Sequence, residues 1–129
     1  GCELITWPFL LPVKEVKRGR WIGVAAGLEP NERRYLVAHA LAHHLMHTGN
    51  QLVFHDIQKA TLWKQEREAE ECAAHILIPE VELSKIGTLS VWELAECFRV
   101  PAELARKRVI DFATESELSR WELLDLREE

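Results

Sequence analysis

Apolar positions in the first 27 residues fall in short runs, with Val13, Val16, Trp21, Ile22 and Val24 placed on either side of Arg18-Gly19. Such runs around a glycine, which takes the positive φ of a tight turn without steric cost, predict a β-hairpin over residues 13–26. A third strand is expected near residues 4–7. Beyond Gly27 the period changes. Pro30-Asn31-Glu32 reads as a helix start, and Ala38, Leu41, Ala42 and Leu45 then recur at i, i+3, i+4 and i+7 until Gly49-Asn50. This spacing predicts a helix over residues 30–47. Residues 51–62 read as a mixed connection, long enough for a short strand near 52–54. A second helix is expected over residues 63–77, with Ala69, Cys72, Ala73, Ile76 and Leu77 on one face, acidic residues on the others, and Pro79 closing it.

Further on, Thr88 or Ser90 can cap a short helix to Phe98, Val100-Pro101 makes a turn, and residues 102–112 form a helix carrying Arg106, Lys107 and Arg108. A last helix is expected over residues 115–126. The short helix, turn and basic helix have the cadence of a helix-turn-helix. Together these elements predict an α+β fold in one domain over residues 1–129: a β-rich part over 1–27 (a small hairpin or three-stranded sheet), two central helices within 28–79 and a helical part over 80–129.

Composition supports a packed domain and narrows its partners. With 129 residues, 47% hydrophobic and 29% charged, the chain is neither disordered nor fibrous and can bury a core. Its net charge of −5, and the glutamates Glu93, Glu96 and Glu103 around the basic helix, argue against direct DNA binding. Packing, or contact with a protein substrate, is the expected role of that helix pair. Three cysteines, without the dense spacing of a disulfide framework, point to a reducing, cytoplasmic setting. Apolar runs fall far short of the roughly 20 residues that span a bilayer, so no membrane partner is expected.

Four of the six histidines lie close together: His39, His43, His44 and His47. Four residues of helix turn 400°, so His39 and His43 project about 40° apart and can grip one metal ion. They are the ligand pair of an H-E-x-x-H zinc site. Residue 40 lies about 60° beyond His43, where that motif places a glutamate as proton acceptor. Here it is Ala40. A catalytic zinc site generally takes three protein ligands, so a third must come from elsewhere. The second helix offers Glu66, Glu68, Glu70 and Glu71. Glu68, beside Ala69 at the border of the apolar stripe, can reach around the packed interface, whereas Glu70 and Glu71 read as solvated. His47 is two turns from His39, too far along the axis for a ligand; His44 is also weaker, and His55 and His75 carry no spacing argument. The five tryptophans read as core and cleft wall.

Two stretches carry a family resemblance. Arg34-Tyr35-Leu36-Val37-Ala38-His39-Ala40-Leu41-Ala42-His43-His44-Leu45-Met46-His47, followed by Glu66-Arg67-Glu68-Ala69-Glu70-Glu71-Cys72-Ala73-Ala74-His75-Ile76-Leu77-Ile78-Pro79, resembles the two signature helices of the ImmA/IrrE metallopeptidases. The family pattern is approximately R-F-x-L-A-H-E-L-G-H-x-L-L-H, then E-A-x-x-F-A-x-x-L-L-x-P. The resemblance implies a zincin-like core and one zinc ion held by His39, His43 and Glu68. It also implies a helix-turn-helix transcriptional repressor as protein substrate, whose cleavage releases mobile-element genes or a stress response to DNA damage. Three departures stand out: Ala42 for the usual glycine, Cys72 for the usual aromatic, and Ala40 for the catalytic glutamate. The first two are packing changes. The third removes the general base, so the chain is expected to be inactive or strongly impaired as a hydrolase, while a glutamate at position 40 would support cleavage. Two other readings stay open: a pseudo-peptidase that binds or sequesters a partner without cutting it, and a small metal-stabilised structural domain.

Overall fold

The two strands expected on either side of residues 19–20 pair with each other. In a computed structural model, which describes residues 3–7, 15–18, 20–46, 59–87 and 89–124, β2 (Glu15–Arg18) pairs antiparallel with β3 (Trp21–Ala25), Arg18 facing Trp21 across a two-residue loop. The expected third strand is β1 (Glu3–Trp7). It lies parallel to β3 on the opposite edge, giving the order β1-β3-β2. Glu3 opens that register by donating its N–H to the Arg20 carbonyl, 2.8 Å away. As the central strand, β3 is buried over Ile22, Gly23, Val24 and Ala25 in succession, the pattern of a strand covered on both faces. Gly27, with φ of 77°, then takes a left-handed turn that other residues rarely adopt.

The histidine-bearing helix is α1 (Pro30–Met46), and it packs on β3 and β2. Their joint is a cluster of Ile22, Val24 and Ala40, with Leu28 and Val37 against it. Two residues of the apolar pattern lie outside this joint: Trp21 is exposed, under the Arg20 guanidinium at 5.8 Å from its ring centre, and Leu45, in the last turn of α1, is 61% exposed. Instead α1 buries the small residues Ala38 and Ala42 on one side and Ala40 on another, about 160° around the axis. Alanines allow close approach from both sides.

The next helix, α2 (Lys59–Leu77), begins four residues earlier than its apolar pattern predicts. Residues 47–58, including His47, His55 and the expected strand at 52–54, lie outside the described residues, as do Gly19 and Thr88. Its deeply buried positions are Ala69, Ala73 and Ala74, whereas Cys72 is half-buried and Ile76 exposed. Contacts divide the chain into two compact units, residues 1–73 and 74–129.

The second unit is helical. Pro79 precedes α3 (Glu80–Ser84), a short helix that periodicity over five residues could not reveal. Then come α4 (Val91–Phe98), α5 (Ala102–Ile110) and α6 (Glu115–Leu124). Ser90 caps α4 in a reciprocal box with Glu93, and Arg99, left-handed at φ of 55°, turns the chain into the buried Val100 before α5. Arg108, one of the three basic residues counted on α5, is wholly buried: it holds both carboxylate oxygens of Glu117 at 2.8 Å and donates through Nε to the Ile78 carbonyl at 3.0 Å. Thr114 N–H adds a further bond to Glu117, which is itself completely enclosed. Of the tryptophans with described side chains, Trp121 belongs to the core and Trp21, Trp63 and Trp92 are exposed.

Candidate metal centre

A step of four residues on α1 brings two imidazoles together. The rings of His39 and His43 meet edge to face, with centres 4.7 Å apart, and Tyr35, one turn earlier, stacks on His39 at 5.6 Å. Facing them from α2 is Glu66. Its Oε1 lies 2.8 Å from Nε2 of His43 and its Oε2 lies 3.3 Å from Nε2 of His39. One carboxylate therefore spans both rings, and ligand atoms of the three residues all lie within 4.8 Å of one another.

Glu68, the third ligand expected from the sequence, is not brought to this cluster. Its Oε1 lies 3.8 Å from Lys64 Nζ on its own helix. The reason is rotation: two residues of helix turn 200°, so Glu66 and Glu68 point about 160° apart and cannot both face α1. Glu66 stands three residues before Ala69 and seven before Ala73, the residues α2 buries, and so shares their side. The sequence carries that spacing but not which side of α2 is turned to α1. Glu70, read there as solvated, is half-buried and lines the same groove as Glu66.

Ala40 is 0% exposed, its methyl group set against Ile22 and Val24. At the position where the motif calls for a carboxylate, this chain has a core residue. Of the other candidates, His44 is half-buried on α1. His75 belongs to the second unit, where its Nε2 is 2.9 Å from the Phe112 carbonyl oxygen. Burial pushes the Cys72 thiol up, so it offers no ready thiolate.

The centre lies at one wall of an open groove of about 690 Å³ between α1 and α2. His39 and Glu66 line it, with Tyr35 and Leu36 from α1 and Trp63, Lys64, Arg67 and Glu70 from α2. Two imidazole nitrogens and a carboxylate oxygen are the donor types zinc takes in catalytic sites, and three such donors leave a coordination position free. The residues present therefore fit zinc.

A histidine pair one turn apart, completed by a carboxylate from a second helix, is the arrangement of a metallopeptidase-like domain. The family described as the IrrE N-terminal-like domain, peptidase family M78, matches residues 9–109, and the chain belongs to this ImmA/IrrE family. No curated protein matches the chain. The matched span contains both helices of the centre, α4, and α5 up to its last residue but one. Among the described residues, no helix is long and apolar enough to cross a membrane.

Proposed function

We propose that the chain is a zincin-like domain that holds one zinc ion through His39, His43 and Glu66, and receives a segment of a helix-turn-helix transcriptional repressor in the adjoining groove. The observation that carries this reading is the meeting of three ligand atoms, from two separate signature stretches, at the wall of an open groove. Zinc in such a place supplies Lewis acidity, polarising a peptide carbonyl and acidifying a water molecule. The chain's own residues do the rest. His39 and His43 are set by the rigid pitch of α1, Tyr35 stacks against His39, and the groove walls orient the bound segment. In the second unit, α4 and α5 resemble a helix-turn-helix in outline, and their role here is packing or protein contact.

At residue 40 the proton acceptor is missing. General base catalysis typically contributes 10²–10⁴-fold, so this chain is expected to lose most of that factor. A specific observation favours the second reading, a binding module that engages the repressor without cutting it: Ala40 is committed to the α1–sheet joint, with no carboxylate in its place.

The test measures zinc content, repressor binding and cleavage for the chain and for Ala40→Glu. The chain as it stands should retain zinc and bind a cognate repressor, with little or no cutting. The glutamate variant should cut it in a chelator-sensitive way. It should also be less stable by about 1–3 kcal/mol, because the added stem presses on Ile22 and Val24. Robust chelator-sensitive cleavage by the unaltered chain would overturn the impaired-hydrolase reading and direct attention to Glu70 or His44. A variant that binds zinc and repressor yet never cuts would favour the binding module.

A further inference from the structure

We propose that Tyr35 is a positioning residue for the metal centre: its ring sets the plane of the His39 imidazole and so keeps Nε2, the ligand atom, beside Glu66. The proposal rests on the zinc reading above and adds a residue that acts through a ligand rather than on the ion. The need for it comes from histidine itself. The pitch of α1 fixes the Cβ positions of His39 and His43, but the torsion between Cβ and the ring is broad and roughly two-fold, so backbone geometry leaves the ring plane, and with it the place of Nε2, undecided. A neighbour of the ring has to decide it. Side chains on a helix lean back toward its N-terminus, which brings residues i and i+4 into contact. Tyr35, His39 and His43 follow this step along α1.

The three rings form a column. Tyr35 and His39 lie 5.6 Å apart, centre to centre, with planes 24° from parallel, and His39 meets His43 at 4.7 Å with planes 82° apart. His39 thus has a near-parallel ring from the turn before it and a near-perpendicular one from the turn after it. In this setting its Nε2 lies 3.3 Å from Glu66 Oε2. A quarter turn of the His39 ring about its Cβ–Cγ bond would displace Nε2 from that place and break the stacked contact with Tyr35 at once. Stacked aromatic pairs shift an equilibrium by roughly two- to tenfold beyond the area they bury. Charge favours the same arrangement: an imidazole that shares electrons with a cation gains positive character, and the electron-rich face of a phenol ring attracts it. Tyr35 is half-buried at the groove wall and lies outside the cluster of Ile22, Val24 and Ala40, so its replacement tests the setting of the ring at little cost to the core.

The test reads ring order and zinc affinity separately, on the full chain and on its Tyr35→Phe and Tyr35→Leu variants. In the metal-free, isotope-labelled chain, NMR should show the His39 ring protons shifted upfield by the ring current of Tyr35. Tyr35→Phe should keep that shift and Tyr35→Leu should lose most of it. Zinc affinity, measured by competition with a chromophoric chelator, should fall roughly three- to tenfold in Tyr35→Leu and stay within about twofold in Tyr35→Phe. Circular dichroism melting confirms that each variant folds, and the shift in the unaltered chain decides even where a variant does not. A merely structural role for Tyr35 would lower the melting temperature and leave zinc affinity unmoved. An unshifted His39 ring in the unaltered chain, zinc affinity untouched by leucine, or equal losses with phenylalanine and leucine would overturn the proposal. Two readouts keep the two ideas apart. A chain that holds zinc equally well with Tyr35 or Leu at this position overturns the positioning role alone; one that lacks zinc, yet loses the His39 shift only with leucine, upholds Tyr35 as the residue that sets the ring and overturns the metal centre.

Discussion

Two glutamates separated by one residue meet different fates on α2. Glu66 faces two imidazoles, whereas Glu68 lies beside Lys64, because a helix turns successive residues by about 100° and only one of the pair can share a side with Ala69 and Ala73. Glu66→Gln is therefore expected to lower zinc affinity sharply and Glu68→Gln to leave it nearly unchanged, as read by competition with a chelator. Loss of a partner one shell further out typically costs roughly 10–100-fold, so the Glu66 effect should reach at least that range. The reverse result would restore Glu68 as ligand. The histidine pair was legible from spacing alone, since a single helix sets it. The carboxylate was not settled that way: its place at the border of the apolar stripe and the family pattern both led to Glu68, and choosing between neighbours needed to know which side of α2 is turned to α1.

At the scale of elements, α1 is held by contacts that helical periodicity recovers only in part. An i, i+3, i+4, i+7 stripe describes a helix with one buried side, and it picked out Ala38, Leu41, Ala42 and Leu45. This helix buries Ala40 on another side, against Ile22 and Val24, and leaves Leu45 in solvent. The sheet is thus the platform on which the helix carrying His39 and His43 is set. Ile22→Ala is expected to lower stability by about 2–5 kcal/mol, the range for removing a branched aliphatic side chain from a closed core, measured as a shift of the urea midpoint. An effect below about 1 kcal/mol would show that the α1–sheet joint does not depend on Ile22. Capping signals were the more reliable local guides: Ser90 starts α4 with Glu93 returning the bond, and Pro79 ends the run after α2.

At the scale of the molecule, the buried Arg108–Glu117 pair organises the second unit. Burial works to raise the Glu117 carboxyl, but the hydrogen bonds from Arg108 and Thr114 and the charge of Arg108 outweigh it and hold the group below its ordinary value. A carboxyl depressed in the folded state contributes stability that is complete above its unfolded value, near 4.3, and is lost as pH falls through the lower folded value. The urea midpoint should therefore drop on acidification below about pH 4. Glu117→Ala should cost about 3–5 kcal/mol at pH 7 by stranding Arg108, while Arg108→Met/Glu117→Leu should cost far less and remove this part of the acid sensitivity. A single variant as stable as the parent would show that the pair is not important to the unit's stability.

Residue order alone determined the features that depend on neighbours along the chain: the hairpin around residues 19–20, the helical pitch that pairs His39 with His43, the capped start of α4, and the family to which these motifs belong. Their physics is local, set by turn geometry, helical rotation and side-chain capping. The parallel pairing of β1 with β3, the choice of Glu66 over Glu68, the enclosure of Ala40 and the burial of Arg108 on Glu117 were decided only by tertiary structure. Each joins residues through space. Whether a given side chain ends in water, on a metal centre or in a core depends on which surfaces pack, and one-dimensional spacing leaves several such packings open.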